Sequence, residues 1–451
     1  MKAIKQHYQN LIIGFGKGGK TLAAYLAKHG QEVVLIEKSE KMYGGTCINI
    51  GCIPTKALIV SAERKVPYVI AHDKKDKLTA LLRAKNLESL ENLDLASVIT
   101  GEASFVSPSE VLVKLNNSVS DIQIQADRIF INTGTLPFIP PIPGLESSKK
   151  VFTSTSIMEQ SVLPARLAIV GAGFIGLEFA DMYSKFGGEV VLLNSEKMFL
   201  PHEDKDIADE IFKVLSAKGI HIANDVKIES VQDIDNDLVR VNYIDGGKLI
   251  QLDVNAVLVA TGRKPNIDTL NVAAAGVKLD ERGYIAVDDS LKTNQPHIWA
   301  IGDVNGGPQF TYISLDDFRI IRDQIFGGDY TSIAERKQVA FSVFISPPLA
   351  HIGLREWEAI EKGYKIKVGK LPAIAIPRAR ILNETNGILK TIVDTETNRI
   401  LGCTLFCADS SEMINTVQIA INAGLDFKIL RDTIYTHPSM TEALNDLYTL
   451  I

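Results

Sequence analysis

The sequence predicts an α/β protein with two Rossmann-like dinucleotide-binding domains followed by a C-terminal α+β domain. Three observations predict it. An apolar strand, a G-x-G-x-x-G turn, a helix and a second strand stand near the N-terminus, and the same order recurs from Leu167. From about Ser342 the pattern changes to strands interleaved with shorter helices. At 451 residues the chain is also too long for a single hydrophobic core. Residues 1–150 and 266–335 are expected to form the first domain in two segments, 151–265 the second and 336–451 the third.

Asn10-Leu11-Ile12-Ile13 reads as a short buried strand, Gly14, Gly16 and Gly19 punctuate the turn, and Glu32 to Glu37 is the next strand. The glycines leave room for a pyrophosphate against the helix N-terminus, and Glu37 can accept hydrogen bonds from an adenosine ribose.

The stretch from Gly44 to Lys56 follows at once and holds two of the four cysteines, Cys47 and Cys52. On a straight helix a rise of about 1.5 Å per residue would set their Cα atoms roughly 8 Å apart, beyond the ~7 Å reach of a disulfide. A bridge therefore needs bent backbone, for which Gly44, Gly45, Gly51 and Pro54 supply the means, and a strained bridge is of the labile, catalytic kind. Lys56, four residues after Cys52, shares its helical face and can favour a Cys52 thiolate, leaving Cys47 as the outer attacking thiol. Two buried structural cysteines or half a zinc site are the alternatives; zinc clusters normally use shorter spacings, and no matching second pair is present.

Residues 62–95 read as helix, and short strands follow as far as Ile131 and the turn Asn132-Thr133-Gly134. Four prolines between Leu136 and Gly144 mark a domain crossover. The second nucleotide pattern runs from the strand Leu167–Val170 through Gly171, Gly173 and Gly176, a helix as far as Phe186, and the strand Glu189–Leu193. That strand ends in Asn194, then Ser195, Glu196 and Lys197; with no arginine cluster for a 2′-phosphate, NADH is favoured over NADPH. Val257 to Pro265 repeats the earlier Thr-Gly step at Gly262 and returns the chain to the first domain. The C-terminal domain is expected to hold strands over 341–345, 389–393 and 400–406 and helices over 356–362, 411–423 and 429–434. Cys403 and Cys407 fall on one face of a strand there and read as small core residues rather than a metal site or second redox pair.

With 46% hydrophobic and 23% charged residues the composition is that of an ordinary globular protein. A net charge of −6 with scattered Lys and Arg gives no footprint for nucleic acid. No apolar run approaches a membrane span or a signal-peptide core, and four cysteines do not make a structural disulfide framework, so a cytoplasmic protein is expected.

The Gly44–Lys56 segment resembles the active-site motif of the class I pyridine nucleotide-disulfide oxidoreductases, the family of glutathione reductase, dihydrolipoamide dehydrogenase and mercuric reductase. The resemblance extends over essentially the whole chain and implies a glutathione-reductase-like architecture, a homodimer formed through the third domain, and two cofactors. FAD would be held by Gly14, Gly16, Gly19, Glu37, Lys38, Gly45, Thr46, Thr133, Gly134, Gly302 and Asp303, where Ile298-Trp299-Ala300-Ile301-Gly302-Asp303 resembles the family's second flavin motif. NADH, with NADPH possible, would be held by Gly171, Gly173, Gly176, Asn194 and Gly262. The resemblance also implies that Glu178 lies by the nicotinamide and pairs with Lys56. His437 and Glu442 match a catalytic dyad in which the histidine of one subunit serves the outer cysteine of the other; a carboxylate-aimed imidazole suits thiol exchange.

The final residues, Leu447 to Ile451, contain no cysteine, unlike those of mercuric reductases and large thioredoxin reductases, and Tyr435 stands where dihydrolipoamide dehydrogenases typically carry histidine. The runs Met42–Cys52, Gln309–Asp317, Ala375–Arg380 and Thr436–Met440 are similar to a bacterial branch associated with reactive-chlorine resistance and copper(II) reduction. The resemblance thus implies a metal ion or small molecule as electron acceptor, although no metal-ligand spacing appears in the sequence. A reductase of lipoamide or another low-molecular-weight disulfide, and a flavin-bearing sensor without turnover, are the other readings.

Overall fold

β1 (His7–Ile13) is apolar where it is covered, with Leu11, Ile12 and Ile13 buried. The chain turns into α1 (Lys17–Lys28), which buries Leu22, Ala23 and Leu26, and returns as the fully buried β2 (Val33–Glu37). The computed structural model describes residues 4–116, 120–235 and 237–451. After β2 come two short helices, α2 (Thr46–Asn49) and α3 (Cys52–Glu63), and the long α4 (Tyr68–Glu91). β3 (Ala96–Ser107) is parallel to β2, β4 (Glu110–Leu115) runs back along it, and β5 (Ile122–Ile131) lies parallel to β1. A strand from far along the chain, Ile298–Ala300, adds in parallel to β5. The carboxyl ends of these parallel strands meet at one edge, where an open α/β sheet takes its ligands.

The helix expected over 62–95 is in fact two. Lys65 takes a φ of 55° and Pro67 has no N–H to give, so α3 stops at Glu63 and α4 starts at Tyr68.

A second parallel sheet has the order His221–Ala223, Glu189–Leu193, Arg166–Val170, Ala256–Val259, Val151–Thr153. Its nucleotide-pattern helix is α5 (Phe174–Lys185). The two connections between the sheets run side by side as a small antiparallel ribbon, Thr135–Pro137 with Arg263–Pro265.

The third sheet is antiparallel, in the order Phe341–Val343, Leu349–Gly353, Ile400–Phe406, Ile388–Asp394, Ile366–Pro372. Its helices Glu356–Glu361, Ser410–Asn422 and Lys428–Asp432 fall within about a residue or two of expectation. Buried ion pairs tie this sheet to the second domain. Arg355 lies 2.7 Å from Glu203, and the ammonium of Lys390, 1% exposed, lies 2.9 Å from Asp204 and Asp206 and 2.7 Å from Glu356. Removing one partner from so buried a cluster costs about 3–5 kcal/mol. Among the described residues no helix is long and apolar enough to cross a membrane.

Candidate active site

Backbone packing places the two sulfurs. Gly45 has a φ of 80°, and a Cβ on it would sit 2.8 Å from the Cα of Gly16, so only glycine lets the second turn lie against the first. α2 therefore starts beside the glycine loop and stops after one turn, where the Asn49 amide donates back to the Tyr43 and Gly45 carbonyls. Gly51 then redirects the chain into α3, which begins at Cys52. The bend expected between the cysteines is present, at Ile50 and Gly51.

Cys47 and Cys52 are free thiols whose titrations act strongly on each other. The Cys52 thiol is drawn down to about 6, first by the hydrogen bond from Cys47, then by the Thr311 hydroxyl and the Lys56 charge, against desolvation. Cys47, holding the shared proton, is pushed up by that bond, by burial and by the charge on Cys52. Lys56 favours the thiolate, as the sequence suggested, but it is not the strongest influence. Its ammonium lies 2.7 Å from Glu178 Oε2 and 4.7 Å above the Phe344 ring, so its charge is already shared. Thr311, with its Oγ1 3.5 Å from Cys52 Sγ, contributes more. It lies 259 residues further along the chain, and no spacing rule connects the two.

Glu178 is buried, and its second oxygen accepts from the Phe344 N–H at 2.9 Å, which fixes the carboxylate toward Lys56 from the third domain. These groups open onto a cleft of about 1720 Å³ that is also lined by Gly14, Gly16, Glu37, Lys38, Gly45, Thr46, Thr133, Gly134 and Asp303.

The cleft wall fits a flavin dinucleotide. A Cβ on Gly14 would meet the Asn132 carbonyl at 2.4 Å, leaving bare backbone at the strand end, and the buried Thr133 hydroxyl has no partner among the described residues. The Glu37 carboxylate is held by the Phe15 and Ser39 N–H groups at 2.9 and 3.1 Å; Asp303 accepts from the Thr135 hydroxyl at 3.1 Å. Burial raises the pKa of both acids. Lys38 reaches Glu102 at 2.6 Å on the rim. Gly19 and Gly302 do not line the cleft. A Cβ on Gly19 would meet Asn132 and Ile12, and one on Gly302 would meet Ser314, so both serve packing behind the wall. Asn132, which sequence reading treated only as part of a turn, braces that wall: its Oδ1 accepts from Gly19 N and its Nδ2 donates to the Ile301 carbonyl.

In the second domain a Cβ on Gly171 would meet the Ala260 carbonyl at 2.6 Å and one on Gly176 the Gly171 carbonyl at 2.1 Å, whereas Gly173 and Gly262 face open space. Asn194 has local partners of its own. It is buried, and its amide donates to the Glu196 carbonyl and Asn224 Oδ1 while its oxygen accepts from Glu196 N. The side chain closes its own loop, which exposes Ser195, Glu196, Lys197 and Met198.

His437 Nδ1 lies 2.8 Å from Glu442 Oε2, and the second oxygen of Glu442 accepts from Ser439 N. The imidazole is largely exposed and does not line the cleft of its own chain. Cys403 and Cys407 are fully buried, as expected of core residues.

Comparisons with known proteins agree with this geometry. The family model for pyridine nucleotide-disulphide oxidoreductases matches residues 8–317, and that for their dimerisation domain matches 339–448. The chain is 47% identical over 444 residues to the probable pyridine nucleotide-disulfide oxidoreductase RclA of Escherichia coli, covering 98% of this chain and 99% of that one. Mercuric reductase of Lysinibacillus sphaericus is 33% identical, over 98% of this chain and 82% of its own length. The solved Cu(II) complex of the HOCl-induced flavoprotein disulfide reductase RclA from E. coli superposes with a TM-score of 0.95 at 46% identity, over 99% of this chain and 100% of the other. The chain belongs to the pyridine nucleotide-disulphide oxidoreductases, as an FAD- and NAD(P)H-binding enzyme with the family's dimerisation domain.

Proposed function

We propose that this family member carries electrons from NADH through FAD to the Cys47–Cys52 pair, and from there to copper(II) or a related thiophilic oxidant. The observation that carries the reading is the dithiol on the cleft, with one sulfur drawn toward thiolate. When bound, FAD supplies the path for an electron pair between the nicotinamide and the sulfurs. Cys52 is the inner thiolate and Cys47 the outer thiol. Lys56, held by Glu178, keeps a positive charge at the inner end. Glu37 and Asp303 offer carboxylates to the hydroxyls of the dinucleotide.

For the acceptor, the support is the likeness to RclA, solved with Cu(II), together with the soft character of two adjacent sulfurs. Two copper(II) ions take one electron each, the two thiols become one disulfide, and two protons leave. An exposed imidazole paired with a carboxylate suits proton removal, which gives His437 of the partner subunit, aimed by its own glutamate, the acid-base role. The NADH preference rests on the loop after Glu189–Leu193, which exposes Glu196 next to Lys197 and holds no arginine for a 2′-phosphate. A higher kcat/KM for NADPH than for NADH would refute that preference.

The test is NADH-dependent copper(II) reduction under anaerobic conditions, read with a copper(I)-specific chelator. Activity is expected to vanish in the Cys47→Ser, Cys52→Ser double variant. The reading fails if that variant keeps full activity, or if the enzyme reduces lipoamide or oxidised glutathione far faster than copper(II).

A further inference from the structure

The outer cysteine has a cation of its own that the family roles above leave out. Lys20 stands in the first turns of α1 and is half-buried. Its ammonium donates to the Gly44 carbonyl at 3.0 Å and to Asn86 Oδ1 at 2.6 Å. Both partners are neutral oxygens, and among the described residues no carboxylate is paired with it. Gly44 begins the turn from which α2 and Cys47 emerge, so the lysine holds the base of that turn against α4.

The surroundings make this an unbalanced charge. Lys17 of α1 and Cys47 of α2 both act on its charge, and from α4 Arg83 reaches α2 through Asn49 at 2.8 Å. Burial and Lys17 lower the Lys20 pKa to about 8, and a charge on Cys47 works the other way. Reciprocally, Lys20 opposes the larger effects of Cys52 and burial that push Cys47 up. Lys56 differs, because it already has Glu178. A desolvated cation without an anion is costly, and it is matched when the nearby thiol gives up its proton to solvent.

We propose that Lys20 is the positioning residue of the outer cysteine: it anchors the Gly44 turn from which Cys47 emerges and holds a positive charge behind the cleft wall, favouring the Cys47 thiolate and, at that sulfur, anionic partners over neutral ones. This rests on the outer role given to Cys47 above. Its test needs neither NADH nor copper, so its failure is separate from a failure of the acceptor assignment.

In FAD-loaded Cys52→Ser protein, Cys47 is the one thiol on the cleft, since Cys403 and Cys407 are fully buried. Alkylation at pH 7 is followed with neutral iodoacetamide and with anionic iodoacetate, and the modified residue is identified by mass spectrometry. Adding Lys20→Gln keeps the tie to Gly44 and removes the charge. It is expected to slow iodoacetamide about threefold to tenfold, and iodoacetate more, whereas Lys20→Arg keeps both rates. Flavin content and melting temperature confirm that each variant is folded. Unchanged rates in Lys20→Gln, or an equal loss in a folded Lys20→Arg, would overturn the proposal.

Discussion

Cys47 and Cys52 lie five residues apart and Cys403 and Cys407 four apart, and their surroundings give them opposite chemistry. The first pair straddles a helix broken at Gly51, opens onto the cleft, and has a hydroxyl and an ammonium nearby; its inner thiol is drawn down to about 6. In the second pair Cys403 sits on the strand Ile400–Phe406 between Ile352 and Thr391, and Cys407 follows it against Met413, 3.9 Å away. Burial pushes both of these thiols up, Cys403 to about 12. The difference teaches that spacing alone does not make a redox pair. Polar partners at an open cleft do, and complete burial outweighs a partner such as the Tyr448 hydroxyl at Cys403.

The largest effect that would break this contrast is in turnover. Cys47→Ser with Cys52→Ser should reduce NADH-dependent activity by at least roughly 10³-fold, as loss of reacting groups does. Cys403→Ala with Cys407→Ala should leave kcat within about twofold, because neither side chain reaches the cleft. Measured kcat values falling together in both variants would dissolve the distinction.

Next in size is labelling. In the native reduced protein at pH 7, the cleft thiols should react with iodoacetamide at least roughly 100-fold faster than the core thiols, in line with thiolate fraction and access. Peptide mapping that finds Cys403 modified at a comparable rate would place it in contact with solvent.

Stability should reverse the order. Cys403→Ser puts a hydroxyl into a site packed for sulfur, at a cost of about 1–3 kcal/mol. Cys52→Ser, at the cleft surface, should cost under about 0.5 kcal/mol. Denaturant titrations compare the two directly.

The smallest effect sharpens the first pair internally. Because the Cys52 pKa is lowered, its thiolate is present above about pH 6 and is lost as the pH falls through that value. Thr311→Val should raise this midpoint by about one unit, or tenfold in thiolate at low pH, and Lys56→Met by less. Thiolate absorbance against pH reads both, and a larger shift in Lys56→Met would put the lysine ahead of Thr311.

Much of the fold was legible in the chain because its signals are local. The Gly14–Gly19 and Gly171–Gly176 turns with their flanking apolar strands, and the period change after Ser342, are statements about neighbours in sequence. Pro67 was legible too, and the unbroken helix read across it shows how a periodic, charged run can mask a stop signal.

What the sequence by itself determined is the set of parts: two dinucleotide folds, a bent segment carrying two cysteines, a basic residue one turn later, and a histidine and a glutamate near the C-terminus. Only tertiary structure decided how those parts share charge. Lys56 meets Glu178 across 122 residues, Thr311 reaches Cys52 across 259, and Phe344 N–H holds Glu178 from a third domain. Asn194 turned inward because its amide found partners in its own loop and at Asn224, and Lys20 came to lie beside the Gly44 turn because two glycines let the backbones touch. Hydrogen bonds and charges act over a few ångströms of space, whatever the distance along the chain, so the balance that makes one sulfur a thiolate exists only once the domains are packed together.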